Sequence, residues 1–416
     1  MLRLSVVASA AHARRLLLAA IPLAVMIAVV GVARASDFGC FVPADGSPFR
    51  AGERPAGIAV AELNRRGRES VEPRRDLAVS DAALGRVLVF LGRGDATFRR
   101  PVAYDAGRGA RAIVASDLDG DGDKDLAVAN SRGSTVSVLI GRGDGSFRPQ
   151  QRYRVGEAHS APSDLAVRDL DRDGDRDLAV TLGAQPAVAL LLGRGDGTFR
   201  RQRQVAVTAP AAALVARRFD AGRSADLAVA HGAANKLSIL FGRGNGTLRR
   251  HQEVLRAGEP GGEAVDLVAG DFGRPDGDLD LAIATGSGGG VAVRLGYGDG
   301  GFRSPRSYPT AATADSLAIG ELTGEEGRRR GIDLAVVSAA DDLVTVLRGW
   351  RDQTFSKRAE LAVGAEPRAI TSADLRANNA LGIDDLAVPT AGDGHVSVFV
   401  NESLDAPCPD SQSATA

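Results

Sequence analysis

Only two cysteines, Cys40 and Cys408, occur in 416 residues, and they stand near opposite ends of the chain. A disulfide-dense scaffold is excluded, since one bridge at most can form. Tryptophan occurs once and aromatic residues make up 4% of the chain, so any core must be packed from Val, Leu, Ala and Ile. Lysine is nearly missing, with only Lys124, Lys236 and Lys357 present. The arginines are interspersed with acids along the chain, whereas a nucleic-acid footprint needs a clustered basic face. The five histidines (12, 159, 231, 251 and 395) include no pair at metal-ligand spacing, and each reads as an isolated surface residue. No nucleophile elbow, phosphate-binding loop or dinucleotide fingerprint leads a strand into a helix.

What is present first is acid. The stretch Asp117-Leu-Asp-Gly-Asp-Gly-Asp-Lys-Asp125 places carboxylates at alternate positions, and Asp169-Leu-Asp-Arg-Asp-Gly-Asp-Arg-Asp177 repeats it. Such a segment repels itself. At ~6 Å and an effective dielectric near 20, each like-charge pair costs roughly 3 kcal/mol. A divalent cation removes that cost, and hard oxygens at alternate positions of a tight loop suit Ca²⁺.

Each acidic stretch runs into Asp-Leu-Ala-Val, and that second motif recurs more widely. Asp-Leu-Ala-Val or its Ile form begins at Asp76, Asp125, Asp177, Asp226, Asp280, Asp333 and Asp385. A near-constant spacing of about fifty residues signals a solenoid, propeller or array. Each unit carries four short apolar or alternating runs separated by Gly/Asp turns, with no helical period. A Gly-rich turn ending in Phe or Leu keeps the same phase, at Gly92–Phe98, Gly141–Phe147, Gly193–Phe199, Gly242–Leu248 and Gly296–Phe302, with a degraded copy ending at Phe355. The expected fold is all-β: a seven-bladed β-propeller of four-stranded antiparallel blades. Three Arg-Gly-Asp tripeptides, at Arg93, Arg142 and Arg194, fall inside these turns, whose chemistry accounts for Gly and Asp without an adhesion role.

The first 35 residues read as an export signal: Arg3, Arg14 and Arg15, then an apolar run from Leu16 to Val32, then Ala33-Arg34-Ala35. Their removal takes away four arginines and no acid, moving the formal charge from −1 to −5. No other segment approaches the ~20 apolar residues of a membrane span. The expected division is a signal peptide at 1–35, an N-terminal tail at 36–45, the propeller at 46–402 and a C-terminal tail at 403–416.

The seventh unit stops after Val396-Ser-Val-Phe-Val400 without a Phe turn or a fourth strand. Asp45-Gly-Ser-Pro-Phe49-Arg resembles Asp144-Gly-Ser-Phe147-Arg, and Phe49 precedes Phe98 by one period. Residues 46–54 are therefore expected to complete the last blade and close the ring. That closure would bring Cys40 and Cys408 together as a disulfide.

The two phased motifs, Asp-x-Asp-x-Asp-Gly-x-x-Asp before Leu-Ala-Val and Leu/Ile-Gly-x-Gly-Asp-Gly-x-Phe at Ile140–Phe147 and Leu192–Phe199, resemble the FG-GAP/VCBS repeat family. That family includes the N-terminal propeller of integrin α chains. The resemblance spans about residues 46–402 and implies Ca²⁺ in loops between the first and second strands of some blades. It implies side-chain oxygens from Asp117, Asp119 and Asp121, a carbonyl from Asp123 and a closing carboxylate from Asp125. Asp169, Asp171, Asp173, Asp175 and Asp177 repeat those roles. The fifth loop keeps Asp271, Asp276, Asp278 and Asp280 around one inserted residue and is a further candidate. The fourth loop, with Arg218 and Gly222 at ligand positions, the seventh, with Arg376, and the Arg-stretched first and sixth are expected to be empty.

The function these features imply is a secreted, periplasmic or cell-surface binding module, monomeric and non-enzymatic, for a protein or glycan. Nucleic acid and, once the signal is cleaved, membrane are not expected partners. The alternatives are a lectin with sugars between blades, or a polysaccharide lyase or hydrolase at the axial face, which needs convergent carboxylate, His or Lys groups. Trp350 is a sugar platform in the first alternative and turn packing otherwise.

Overall fold

The computed structural model describes residues 40–65, 74–200, 203–258, 262–272, 276–323, 331–376 and 383–402. All of these blades belong to one compact unit, Ala35–Asp410. The expected export signal lies outside the described residues, and no helix among those described is long and apolar enough to cross a membrane.

Blade 2 shows the plan. Its strands are Ala110–Ser116, Asp125–Asn130, Thr135–Leu139 and Gln151–Arg154, paired antiparallel in sequence order. Seven such sheets form, with second strands beginning at each of the seven repeated aspartates. The inner strands of successive blades touch, and Thr371–Ala373 of blade 7 touches Pro55–Ala61 of blade 1, so the ring is closed.

Burial follows position in the blade. Every residue of each second strand is buried, because both faces lie against neighbouring blades. The third strands are buried almost as fully. The inner strands are only partly covered, since one edge meets the axial channel. The short outer strands are mostly exposed, which blunts the free edges. Double burial belongs to the second and third strands.

The core is divided into seven clusters, one at each blade interface. Each joins an outer-strand side chain of one blade to the turn residue of the next. Tyr104 meets Phe147 edge-on at 5.2 Å, Tyr153 meets Phe199 at 5.3 Å and Tyr308 meets Phe355 at 5.4 Å. Val205 with Leu248, and Leu255 with Phe302, share the corresponding clusters.

The N-terminal segment closes the ring, in a different register from the one expected. Cys40–Pro43 and Phe49–Arg50 both pair with His395–Glu402. Phe41 stands opposite Asn401, as Phe355 stands opposite Gly349 in blade 6. Phe49 stands opposite Val396, as Tyr104 stands opposite Val87 in blade 1, and its ring lies 5.3 Å from Phe98. Phe41 thus takes the turn position, and Phe49 takes the outer-strand position. The pairing begins at Cys40, inside the segment expected to be a tail. Local similarity of Asp45–Phe49 to Asp144–Phe147 misleads because Phe occurs at both positions of the interface. Cys40 pairs through its backbone with Glu402; Cys408 lies outside the described residues.

Candidate metal centres

The closing aspartate organises every loop between first and second strands. Leu118 donates its amide to Asp125 Oδ2 and Gly141 donates to Oδ1, each at 2.7 Å. The same bracket recurs at Asp76, Asp177, Asp226, Asp280, Asp333 and Asp385, with all distances between 2.6 and 3.0 Å. One carboxylate thus ties the loop to the third strand's end. A Cβ at Gly141 would stand 2.4 Å from the Lys124 carbonyl, so the turn must begin with glycine. Burial pushes Asp125, Asp177, Asp280 and Asp333 each up to about 6, against the pull of those amides.

In blade 2, oxygens of Asp117, Asp119 and Asp125 lie within 4.8 Å of one another; in blade 3, Asp169, Asp171 and Asp177 do the same. The loop amides shape this cluster. Gly120 and Gly122 donate to the two oxygens of Asp117 at 2.7 and 3.0 Å, and Arg172 and Gly174 repeat the contacts on Asp169. Burial, followed by the charges of Asp121 and Asp117, raises Asp119, and burial together with Asp173 raises Asp171. The carboxylates that the spacing brings together therefore lie close in the fold.

Asp121 and Asp173 lie outside these three-carboxylate groups and accept the amides of Asp123 and Asp175. The carboxylate of Asp123 is tucked beneath Gly143, where a Cβ would stand 2.3 Å away, and Asp175 sits likewise under Gly195. Their side chains face the Gly-rich turn, so only their backbone carbonyls are suited to the loop interior.

The donor set fits a hard divalent cation. Asp171 Oδ1 is buried with no hydrogen-bond partner, an arrangement that costs free energy unless a cation meets it. Arg200, which sequence reasoning missed, lies 3.8 Å from both Asp171 and Asp173. Blade 2 has the same Phe-Arg step at Phe147-Arg148, so the sequence carries no signal that separates the two.

The other loops diverge. In blade 5, Asp271, Asp276, Asp278 and Asp280 form no three-carboxylate group among the described residues, and 273–275 lie outside them. Asp271 Oδ1 is nonetheless buried without a partner. In blade 7 the Arg376 guanidinium brings a positive charge to the closing aspartate, donating to Asp385 Oδ1 at 3.1 Å and to the Asn401 carbonyl at 2.6 Å. In blade 4, Arg249 lies 3.7 Å from Asp220.

Several other motifs resolve as structure. Asp95, Asp144 and Asp196 of the Arg-Gly-Asp tripeptides each accept the amide and hydroxyl two residues on. Trp350 donates Nε1–H to Ser356 and lies under the Arg348 guanidinium at 3.9 Å. His231 is not a surface residue: it is buried between the Ala209 carbonyl and the Ser238 hydroxyl.

Comparison with known proteins agrees with this geometry. The FG-GAP-like repeat model matches residues 73–128 and 117–180. No curated protein matches the chain. Among solved structures, BBS1N in complex with ARL6DN is 14% identical, covers 89% of this chain and 98% of its own, and has a TM-score of 0.57. A putative 6-phosphogluconolactonase from Bacteroides uniformis is 12% identical over 76% of this chain and 87% of its own, at 0.56. A protein from Lactobacillus plantarum is 12% identical over 77% and 88%, at 0.54. At these identities the likeness is one of fold. The described residues form a closed ring of seven four-stranded blades, so the chain is a seven-bladed β-propeller, with FG-GAP-like repeats matched over residues 73–180.

Proposed function

We propose that the chain is an exported, calcium-binding propeller that works as a monomeric, non-enzymatic binding module for a protein or glycan. The observation that carries the calcium is the pair of three-carboxylate clusters in adjacent blades. Asp117, Asp119 and Asp125 hold one ion, with the Asp123 carbonyl, and Asp169, Asp171 and Asp177 hold the other, with the Asp175 carbonyl. Bound there, Ca²⁺ neutralises the clustered carboxylates and stiffens the loops. A Cys40–Cys408 disulfide across the closed ring belongs to the same proposal.

The blades occupy nearly all of the described chain, which favours a scaffold for loops over a catalytic domain. The enzymatic reading has one feature in its favour. Asp164 and Asp266, on the inner strands of blades 3 and 5, are both raised by burial, Asp164 to about 7 with help from the Asp266 charge. Each is engaged in structure, however. Asp164 accepts the amide of Leu214 in the next blade, and Asp266 accepts that of Leu317.

Thermal melting with calcium and with chelator tests the proposal. Calcium is expected to raise the melting temperature by several degrees, and identical curves would refute it.

A further inference from the structure

One register position distinguishes two neighbouring blades from the rest. The residue that pairs with the closing aspartate at the end of the inner strand is Ala61, Ser116, Gly270, Gly320 or Ala373 in five blades. In blades 3 and 4 it is Arg168 and Arg217. Both stand where the axial channel opens on the acidic-loop face.

The neighbouring loops add more arginines. Arg168, Arg172, Arg176, Arg217, Arg218 and Arg223 line one cavity of about 970 Å³ across the loops of blades 3, 4 and 5. A second space of about 440 Å³, inside the channel, shares Arg168, Arg176 and Arg217. None of the six forms an ion pair with a carboxylate among the described residues. Arg217 is half-buried, and burial together with the Arg168 charge holds its guanidinium below the usual range. Like charges so arranged, in a chain whose acids outnumber its bases, favour an anionic counterpart. The arginines that look interspersed along the sequence are gathered by the fold.

We infer that the Arg168–Arg217 mouth, with the loops of blades 3 and 4 and with Gly277 and Leu279 of blade 5, is a binding site for an acidic polysaccharide bearing repeated uronate or sulfate groups. Guanidinium forks match carboxylate and sulfate in bidentate geometry. Asp173, outside the three-carboxylate group, also lines the cavity and is suited to accept sugar hydroxyls, which a phosphodiester chain offers sparsely. Among the described residues no aromatic side chain lines either space, so they offer no stacking platform of the kind single-stranded nucleic acid uses. The inference rests on the binding-module reading and specifies its ligand class and its site.

The test uses the full chain against polygalacturonate, dextran sulfate, neutral dextran and oligodeoxythymidylate, in chelator so that calcium does not gel the uronate. The variant is Arg168→Ser with Arg217→Ala, residues found at this register in other blades. At least one acidic polysaccharide is expected to bind, neutral dextran is not, and the double variant loses at least tenfold in affinity. The Arg168→Lys, Arg217→Lys variant is expected to fall between. Melting and calcium titration should match the wild type for both, which separates loss of the site from loss of the fold. A failed calcium titration would count against the metal centres alone, because the polysaccharide arm is read without calcium. The inference is overturned if neither acidic polysaccharide binds, or if the double variant binds as the wild type does. It is equally overturned if oligodeoxythymidylate binds as tightly as the polysaccharides and shows the same loss.

Discussion

Phe41 stands opposite Asn401 in the register that Phe355 holds opposite Gly349, so the N-terminal strand supplies the seventh blade's turn phenylalanine from the far end of the chain. Phe49 then packs on Phe98 as Tyr104 packs on Phe147. The closing interface repeats the contact between outer strand and turn that the other six make.

Weakening that interface should open the ring. Phe49→Ala removes a half-buried ring that packs edge-on against Phe98, and a loss of about 2 kcal/mol is expected, below the range for fully buried Phe. Urea denaturation would measure it. An unchanged midpoint would mean that the closing strand contributes little.

Oxidation should lock the same closure. The Cys40–Cys408 bridge would span several hundred residues, for which chain entropy suggests about 5 kcal/mol. Peptide maps with and without reductant are expected to show one linked pair. Two free thiols would remove the bridge.

Asp226 tests the closing aspartate apart from any metal. It accepts the amides of Phe219 and Gly242 in a loop that lacks the acidic pattern. Asp226→Ala strands two buried donors, so a loss of about 3 kcal/mol is expected by chemical denaturation, with calcium stoichiometry unchanged. A changed stoichiometry would place Asp226 among the metal ligands.

Asp333 sets a pH dependence. Its folded pKa is raised to about 6 from 3.8 by burial. A raised carboxylate binds its proton more tightly when folded, so its contribution is fully present below the unfolded value and is lost as pH rises through about 6. In chelator, lowering the pH from 7 to 5 should stabilise the wild type by about 1 kcal/mol relative to Asp333→Asn. Parallel stability–pH curves for the two proteins would refute it.

Much of this was legible from phase. The seven aspartates, the Gly-rich turns and the four short runs lead to the blade count because each obeys a local backbone demand: an acceptor for two amides, or a glycine against a carbonyl. The closing register was not legible, since it depends on which of two phenylalanines meets which interface. Nor was the grouping of Arg168 with Arg217: forty-nine positions separate them in the chain, and only the ring sets them side by side. His231 misled because a lone histidine carries no sign of the carbonyl and hydroxyl that bury it.

Calorimetric titration of the full chain with calcium, repeated on Asp119→Asn, is the most direct measurement. Two ions per chain are expected for the wild type and one for the variant, with Asp171→Asn likewise leaving one. No calcium binding to the wild type, or no change in either variant, would contradict the assignment of the two acidic loops as metal centres.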